Sequence, residues 1–520
     1  MDFLEGISPR EYQEKIFETC VEKNCLVVLP TGLGKTLVAL MLTIDRIKKF
    51  PGEKVLFLAP TKPLAEQHLK YFQKHLPELF ADLNLFTGQI NSSKREEIWR
   101  TAEIIFSTPQ CIANDLKNNL YDLTEVCLLI EDEAHKCLKN YDYNYVVKNY
   151  KENGINQRIL GLTASPGSEK AKIKEICRNL SIEEVELRTR DSEDVKIYLQ
   201  ELEFEKIILD FPKEFDDMRN LFKQLFENYV GELRSRKLLF GRSNKTELIR
   251  LQKKISGYLM KGSRNFNYLL GASTCAQAIK IHHAMELLET QTLSGFNKYL
   301  KSLESQALKK QSKGVVKLVS KPEFTLVFHK TKQLIDEGIE HPKIEKLINI
   351  IKKEKLERKK IKILVFTQFR ETAQTISKKL NQEKIKSKIF VGQAKKDSGG
   401  LSQKEQKEII EEFSKGDIEI LCATCIGEEG LDIPEVNAVI FYETVPSAIR
   451  TIQRAGRTAR LMKGKLIILL TKNTRDEINY YVSKSKERKM YDAIDSIKKD
   501  LTDGKGFGHE QEQKTIGGYY

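Results

Sequence analysis

The stretch of sequence around residue 30 constrains the fold more than any other. Residues 25–29 form an apolar run of strand length, and an apolar helical segment occupies residues 37–47. Between them, positions 30–36 read PTGLGKT. A glycine turn between strand and helix lets backbone N–H groups approach a phosphate, and the helix N-terminus favours its negative charge. The stretch therefore predicts a phosphate-binding loop at the edge of a parallel α/β sheet.

Two parts of the chain repeat the alternation of short apolar runs with amphipathic segments. This alternation is typical of a parallel sheet with helices on both faces. It predicts two α/β units, over residues 1–190 and 341–485. The predicted strands lie at 25–29, 55–58, 104–106, 126–130 and 159–162, and then at 363–366, 389–390, 418–422, 438–441 and 466–470.

Residues 191–340 separate the two units and have a different pattern. From 218 to 289 they have helical periodicity and few Gly or Pro, which predicts a helical insert. Residues 231–264 hold ten Lys or Arg against two Glu, so they carry +8 of the +14 net charge of the chain. We expect this insert to bind a polyanion through Arg250, Lys253 and Lys254, and the alternative is a solvated helix face. Residues 298–332 are lysine-rich and less regular, which favours a connector.

The composition excludes several classes of protein. No apolar run approaches the roughly 20 residues that span a bilayer, and the N-terminus lacks a basic-then-apolar signal pattern. The nine cysteines, an odd number, argue against a disulfide framework and for a reducing compartment. We expect a cytoplasmic protein without a membrane partner, and its positive charge makes a polyanionic partner plausible.

An acidic pair follows the predicted strand at 126–130. At the carboxyl end of a parallel strand, Asp132 is in position to hold Mg²⁺ and Glu133 to accept a proton from an attacking water. In the loop, Lys35 would reach the phosphates, and the Thr36 hydroxyl would bind Mg²⁺. These residues together predict a site for Mg²⁺ and a nucleoside triphosphate.

The second unit offers the positive charge that phosphoryl transfer requires. Residues 453–460 read QRAGRTAR, and on a helix Arg457 and Arg460 fall close to one face. Arginine stabilises the charge that develops on a transferring phosphoryl group. We therefore predict that this segment closes over the nucleotide, and the alternative is a solvated basic helix.

These motifs, with DEAH at 132–135 and TAS at 163–165, resemble motifs I, II, III and VI of superfamily 2 helicases. REYQ at 10–13 resembles the adenine-reading Q-type motif, and TCIGEEGLDIP at 424–434 resembles motif V. The resemblance implies an ATP hydrolase with two RecA-like parallel-sheet lobes and a helical insert between them. It implies nucleotide contacts by Gln13, Leu29, Pro30, Thr31, Gly32, Leu33, Gly34, Lys35, Thr36 and Asp432, and catalytic roles for Glu133, Gln453, Arg457 and Arg460.

The same resemblance implies how ATP hydrolysis is coupled to a nucleic-acid strand. APTKPL at 59–64, TG at 87–88 and TPQ at 108–110 are similar to strand-gripping motifs. Thr163 and Ser165 would transmit the state of the γ-phosphate to that grip. The predicted strand contacts are Pro60, Thr61, Lys62, Thr87, Gly88, Thr108, Pro109 and Thr424.

A narrower resemblance, to the Hef and Fanconi anaemia M-type helicases, rests on FVGQA at 390–394, GLSQKEQ at 400–406 and TRDE at 474–477. It implies 3′ to 5′ movement on forked or branched DNA, in replication-fork repair and recombination, by a nucleoid-associated protein. It also implies that Arg250, Lys253 and Lys254 of the insert bind DNA. Many Hef proteins continue into a nuclease domain. We expect any cleavage of DNA here to come from a separate nuclease partner.

The C-terminal residues resemble a PCNA-interacting peptide. Gln513, Ile516, Tyr519 and Tyr520 have the spacing of that peptide, and a polar tail precedes them in the segment 486–520. The predicted partner is the sliding clamp PCNA. The alternative is an aromatic tail without such a role.

Two other functions remain open on the sequence. One is an RNA-directed superfamily 2 helicase or duplex-RNA-binding ATPase, since such proteins have similar lobes and inserts. The other is a binding scaffold with negligible catalysis, against which the intact Lys35, Glu133 and Arg457 argue.

Overall fold

The computed structural model describes residues 3–139, 141–262, 265–358, 360–392, 400–424, 433–447 and 463–503. The first lobe is a parallel sheet of seven strands in the order β3-β4-β2-β5-β6-β1-β7. Its strands are β1 (Cys25–Val28), β2 (Lys54–Leu58), β3 (Leu83–Phe86), β4 (Ile104–Ser107), β5 (Val126–Asp132), β6 (Ile159–Thr163) and β7 (Glu184–Leu187). Its helices are α1 (Glu11–Glu22), α2 (Lys35–Lys49), α3 (Lys62–His75), α4 (Ser92–Thr101), α5 (Pro109–Lys117), α6 (Asp142–Asn153), α7 (Lys170–Asn179) and α8 (Glu193–Lys196), with a 3-10 turn over Ala134–Lys136.

The central strands of this sheet are apolar on both faces because helices cover both. In β1, Leu26 and Val28 pack into one core, whereas Cys25 and Val27 pack into the other. The order β5-β6-β1 then brings the carboxyl ends of three buried strands side by side. The segments that follow those strands are the glycine loop, the acidic residues and the TAS segment.

Among the described residues, the second lobe is a parallel sheet of six strands in the order β10-β11-β9-β12-β13-β8. Its alternate strand residues also divide between two cores. The strands are β8 (Leu202–Leu209), β9 (Ile363–Phe366), β10 (Ser387–Phe390), β11 (Ile420–Ala423), β12 (Ala438–Phe441) and β13 (Gly464–Thr471), and the helices are α15 (Pro342–Glu357), α16 (Arg370–Gln382) and α17 (Gln403–Lys415).

Strand β8 corrects the boundary of the insert. The sequence pattern assigns residues 202–209 to the insert, but all eight pair in parallel with β13 at the edge of the second sheet. Four of these eight residues in succession are exposed, so the strand lacks the apolar run of a buried strand. Val195 of α8 packs into the first lobe. The insert therefore begins at Lys213 and interrupts the second lobe.

In the part of the chain that the structure describes, the insert is a bundle of six helices around one core. Residues 298–332 are not a connector, because most of them lie in three helices that bury Leu300, Leu318 and Phe324 in that core. The bundle consists of α9 (Lys213–Ser235), α10 (Lys245–Met260), α11 (Phe266–Thr290), α12 (Leu293–Leu308), α13 (Lys313–Val319) and α14 (Pro322–Asp336).

A long helix, α18 (Arg475–Thr502), joins all three parts. Near its start, the Thr444 hydroxyl of the second lobe donates to the Asp476 carbonyl at 2.7 Å. The backbone N–H of Arg475 donates to Oε2 of Glu289 in the insert at 2.9 Å. Residues 486–502 are helical rather than a polar tail, and their apolar side chains enter a core of the first lobe. Among the described residues, no helix combines the length and apolarity needed to cross a membrane.

Candidate active site and nucleic-acid contacts

The glycine loop between β1 and α2 requires backbone conformations that glycine adopts. Gly32 and Gly34 have φ values of +89° and +77°, in the left-handed region. A Cβ atom on Gly34 would lie 2.2 Å from Nε2 of Gln13, so a side chain there would displace the Gln13 amide. Lys35 is the first residue of α2, and its Nζ donates to the Leu29 carbonyl at 2.9 Å. The loop thus holds the Lys35 ammonium beside the helix N-terminus, where both favour a phosphate.

Helix α1 supports this loop from one side. The Tyr12 hydroxyl and Nε2 of Gln13 both donate to the Leu33 carbonyl, at 2.8 and 3.1 Å. Oε1 of Gln13 accepts a hydrogen bond from the Arg10 backbone N–H at 2.9 Å. Both ends of the Gln13 amide therefore have partners within the protein, and its contact with adenine stays a prediction. Sequence reasoning missed Tyr12, although it stands beside Gln13 in the same motif.

Asp132, at the end of β5, is a buried carboxylate with a fixed orientation. Nε2 of His68 lies 2.9 Å from its Oδ2, and the Tyr143 hydroxyl donates to its backbone carbonyl at 2.7 Å. Burial raises the pKa of Asp132, but the hydrogen bond and charge of His68 and the charge of Lys35 outweigh it, so the pKa lies below its ordinary value. Mg²⁺ prefers oxygen ligands, so an ionised Asp132 and the Thr36 hydroxyl suit this ion.

Glu133, His135 and Thr163 form a chain of polar contacts from β5 to β6. Glu133 has a φ of +52°, a conformation that residues with a side chain seldom adopt and that is often found at functional sites. Nδ1 of His135 lies 3.2 Å from Oε2 of Glu133 and 3.2 Å from Oγ1 of Thr163. Oγ1 of Thr163 accepts a hydrogen bond from the Ser165 backbone N–H at 3.1 Å. The carboxylate predicted to act as base is thus linked to the two predicted coupling residues.

Ser165 also contacts helix α18, which comes from the second lobe. Its hydroxyl donates to Sδ of Met490 at 2.8 Å. Ile494 and Ile497 pack beside Met490 in the first-lobe core, and Asp500 pairs with Lys174 at 3.0 Å. Sequence reasoning missed this contact. The signal was the apolar spacing 490, 493, 494 and 497, which is typical of one buried helix face.

A second buried acid lies directly before Asp132. Glu131 is fully buried, and its Oε2 accepts a hydrogen bond from the Cys137 thiol at 2.7 Å. Burial raises the pKa of Glu131 to about 8, although the hydrogen bond from Cys137 lowers it. The adjacent acids 131 and 132 therefore favour opposite protonation states, and only Asp132 is suited to bind a cation.

The residues predicted to contact a nucleic-acid strand follow three neighbouring strands, β2, β4 and β3. Thr61 and Thr108 precede the first residues of α3 and α5, and Thr87 follows β3. Nζ of Lys62 donates to Oε1 of Gln89 at 2.8 Å and thereby joins two of these segments. Because the strands are adjacent, their carboxyl ends meet along one edge. Pro60, Gly88 and Pro109 lie in the same three segments.

A buried ion pair that the sequence did not reveal supports this edge. Nε of Arg95 donates to Oδ2 of Asp115 at 2.8 Å, and the Arg95 guanidinium reaches the Thr87 carbonyl at 3.5 Å. The Tyr121 hydroxyl donates to the same Asp115 oxygen at 2.8 Å. The pair is therefore placed to hold the Thr87 segment in position.

In the second lobe, Thr424 follows β11 and is buried. Its backbone N–H donates to the Phe390 carbonyl at 3.1 Å. An ion pair also joins the two lobes. Nζ of Lys407 on α17 of the second lobe lies 3.3 Å from Oε2 of Glu66 on α3 of the first lobe. The two lobes therefore meet beside the first of the strand-contact segments.

The basic residues predicted on the insert lie on the solvent face of α10. Arg250, Lys253 and Lys254 are exposed, whereas Leu251 and Ile255 face the bundle core. Exposure and charge suit contact with phosphates, and their role in DNA binding stays a prediction. Eight other predicted site residues lie outside the described residues: Asp432, Gln453, Arg457, Arg460, Gln513, Ile516, Tyr519 and Tyr520.

Three family descriptions match the chain. DEAD/DEAH box helicase matches residues 10–173, and Helicase conserved C-terminal domain matches residues 342–462. A third family model matches residues 214–337. It is provisionally described as the helical bundle of an ATP-dependent RNA helicase. The three matches correspond to the first lobe, the second lobe and the insert.

Curated relatives and a solved structure extend these matches. A Methanocaldococcus jannaschii protein provisionally named ATP-dependent RNA helicase MJ1505 is 39% identical over 93% of this chain and 60% of its own length. The ATP-dependent DNA helicase mph1 of Sclerotinia sclerotiorum is 32% identical over 94% of this chain and 41% of its own length. The crystal structure of the Pyrococcus furiosus Hef helicase domain is 42% identical with a TM-score of 0.70, over 91% of this chain and 98% of that domain.

Proposed function

Because the chain belongs to the DEAD/DEAH box helicases, in the group that includes the Pyrococcus furiosus Hef helicase domain, we propose that it hydrolyses ATP to move along DNA and remodel forked or branched DNA. One observation carries the proposal. Lys35, the ionised Asp132 and the linked Glu133 and Thr163 converge at the carboxyl edge of β1, β5 and β6.

Each residue at this edge has a distinct role in the proposed reaction. The backbone N–H groups of the loop and the Lys35 ammonium bind the β- and γ-phosphates. Thr36 and Asp132 would hold Mg²⁺, which neutralises phosphate charge when bound. Glu133 orients the attacking water and accepts its proton. Gln453, Arg457 and Arg460 are proposed to approach from the second lobe and to stabilise the charge that develops on the γ-phosphate.

Hydrolysis is coupled to movement through a series of contacts that runs from the first lobe to α18. Thr163 contacts His135 next to the catalytic carboxylate, and Ser165 contacts Met490 of α18. We propose that closing and opening of the lobes shifts the strand-contact segments along the DNA backbone. Contacts to phosphate and sugar carry no sequence information, so movement is independent of sequence.

The relatives favour DNA over RNA as the substrate. The mph1 relative is named a DNA helicase, and the insert supplies exposed positive charge for duplex arms. The name of the Methanocaldococcus relative and the description of the helical bundle favour an RNA-directed activity, which is the second candidate. We further propose 3′ to 5′ movement, action in fork repair and recombination near the nucleoid, clamp binding through the C-terminal peptide, and a separate nuclease partner.

The test is ATPase stimulation by single-stranded, duplex, forked and four-way DNA, measured beside single-stranded and duplex RNA. Forked and four-way DNA are expected to stimulate hydrolysis most, at equal nucleotide concentration. Stronger stimulation by RNA would transfer the proposal to the RNA-directed candidate. The Glu133→Gln variant serves as the control for contaminating ATPases.

A further inference from the structure

Helix α3 connects the strand-contact segments with the proposed nucleotide site at the carboxyl edge of β1, β5 and β6. Thr61, a predicted strand contact, directly precedes the first residue of the helix, Lys62. His68 lies about 9 Å further along the helix axis, and its Nε2 is 2.9 Å from Oδ2 of Asp132. Because the turns of an α-helix are hydrogen-bonded to one another, a displacement at either of these positions is transmitted to the other.

The His68 ring is buried, and one polar contact fixes it. The ring packs on Phe57 of β2, with the two ring centroids 4.4 Å apart, and β2 leads directly into the segment that holds Thr61. Nδ1 of His68 is buried without a hydrogen-bond partner among the described residues, whereas Nε2 contacts the Asp132 carboxylate. A hydrogen bond to an ionised group is strong where water is excluded. Movement of the ring and movement of the carboxylate are therefore linked.

The second lobe contacts the same helix. Nζ of Lys407 on α17 lies 3.3 Å from Oε2 of Glu66, and Oε1 of Glu66 lies 3.5 Å from Nζ of Lys62. Nζ of Lys62 also donates to Oε1 of Gln89 beside the next strand-contact segment. Such exposed pairs each add little stability, so their importance lies in where they are. A helix that only supported Asp132 would not need to carry contacts to the second lobe and to two strand-contact segments.

We propose that α3 couples the state of the nucleotide site to the grip on the nucleic-acid strand, and that His68 is the positioning residue for this coupling. The inference rests on the proposed function. The Asp132 carboxylate serves the nucleotide site and is bonded to His68, so a change in its position between nucleotide states shifts α3 relative to β2. Coupling of this kind is reciprocal, so a strand bound at Thr61 also biases the position of Asp132. This route differs from the one through Thr163 and Ser165, which leads to α18.

The test measures how strongly the bound nucleotide changes the affinity of the full chain for DNA. Dissociation constants for a fluorescently labelled single-stranded DNA are determined with ADP and with a non-hydrolysable ATP analogue. Mg²⁺ is present throughout, and each nucleotide is used at a concentration that saturates the protein. The readout is the ratio of the two dissociation constants, which does not depend on the rate of hydrolysis.

Three variants are compared with the wild type. His68→Leu fills a similar volume but removes the bond to Asp132, whereas the amide of His68→Gln can still donate to that carboxylate. The matched control is His75→Leu, because His75 lies on the same helix and is 6% exposed, as His68 is. Nδ1 of His75 lies 2.8 Å from the Glu5 carbonyl, away from the nucleotide site. Thermal melting verifies that each variant is folded.

In the wild type, the two dissociation constants should differ by about fivefold or more, the lower end of the usual coupling between two sites. His68→Leu should reduce the difference to about twofold or less, below that range. His68→Gln and His75→Leu should keep most of it.

An undiminished difference in His68→Leu, or an equal reduction in His75→Leu, overturns the inference. So does a His68→Leu protein that no longer binds a fluorescent ADP analogue, because His68 would then serve the nucleotide site alone. A wild-type chain that binds no DNA, or that binds it equally with both nucleotides, contradicts the proposed function itself.

Discussion

The carboxyl edge of β1, β5 and β6, where the nucleotide is proposed to bind, is called the nucleotide edge here. It carries buried charge, whereas the solvent face of α10 in the insert carries exposed charge. At the edge, Asp132 is 5% exposed and its carboxylate is held by His68. On the insert, the Arg250 side chain is 70% exposed, and Lys253 and Lys254 are also exposed. Buried charges interact strongly with fixed neighbours, whereas exposed charges are screened and act nearly independently. Function should therefore depend on single atoms at the edge and on summed charge in the insert.

The largest effect is expected from Glu133→Gln. Loss of a general base typically lowers a rate by about 10²- to 10⁴-fold, so DNA-stimulated ATP turnover should fall by that range. The amide keeps the shape of the side chain beside His135, so affinity for DNA should change little. Steady-state hydrolysis and fluorescence anisotropy measure the two quantities. Turnover within a few-fold of wild type would favour a scaffold or a different base.

The sequence predicted the nucleotide edge because its residues stand next to strongly apolar strands. Lys35 and Thr36 lie at the end of the loop that follows β1, and Asp132 is the last residue of β5, so a parallel sheet brings them together. His68 supports Asp132 from a helix 64 residues away in sequence, and no local pattern connects the two. The Arg95–Asp115 pair escaped prediction for the same reason, because only the tertiary fold makes them neighbours.

The elements that escaped prediction are those with weak local patterns. Strand β8 lies at a sheet edge and keeps four successive residues exposed, so it lacks an apolar run. Helix α18 contains many charged residues, and its apolar stripe is confined to the second half. Its role depends on which lobe it reaches, and that is a property of the assembled fold. The predicted boundaries at residues 191 and 486 therefore moved, while the two-lobe architecture was confirmed.

The next largest effect is expected from Glu131→Gln and concerns stability. Glu131 lies beside Asp132 at the nucleotide edge but has no predicted role in the reaction. Burial raises the pKa of Glu131 from 4.5 to about 8. The folded state therefore binds this proton more tightly than the unfolded state, and the stability it adds is complete below about pH 4.5 and is lost as the pH rises through about 8. An amide has no such titration and still accepts from Cys137. The variant should be more stable than wild type at pH 9, by a few kcal/mol, and this difference should vanish near pH 5.

Thermal melting of both proteins between pH 5 and pH 9 measures this difference. The wild-type melting temperature should fall more steeply with pH than that of the variant, by several degrees in total. Parallel curves of melting temperature against pH for the two proteins would show that Glu131 is ionised throughout this range. Glu131 and Asp132 would then not differ in protonation state. ATP turnover at pH 7 should be similar in both.

A smaller effect is expected from Arg250→Gln, Lys253→Gln and Lys254→Gln combined. If each side chain neutralises one phosphate, the slope of log affinity against log salt should become less steep by about two to three. Each single variant should give about a third of that change, unlike the single substitution at Glu133. The control is Lys378→Gln, Lys379→Gln and Lys384→Gln, which removes the same charge from an exposed part of the second lobe. Equal slopes for the two triple variants would show that net charge, not the insert face, governs binding.

The smallest effect is expected from Met490→Ala. This variant tests whether ATP turnover at the nucleotide edge depends on an apolar side chain of α18. Sδ of Met490 accepts a hydrogen bond from Ser165, and α18 joins that contact to the second lobe and the insert. Removing it should lower DNA-stimulated turnover several-fold, while unstimulated turnover and KM for ATP stay close to wild type. Met490→Leu restores the volume without the sulfur and therefore separates packing from the hydrogen bond.

The matched control is Ile494→Ala, one turn along the same helix and in the same core. Both alanine variants leave a cavity and should lower the melting temperature to a similar degree. Only Met490→Ala removes the contact with Ser165, so only it should reduce the ratio of stimulated to unstimulated turnover. An equal reduction in both variants would mean that α18 acts through stability alone. Function at the nucleotide edge would then depend on the exact position of the polar residues of the first lobe and not on Met490.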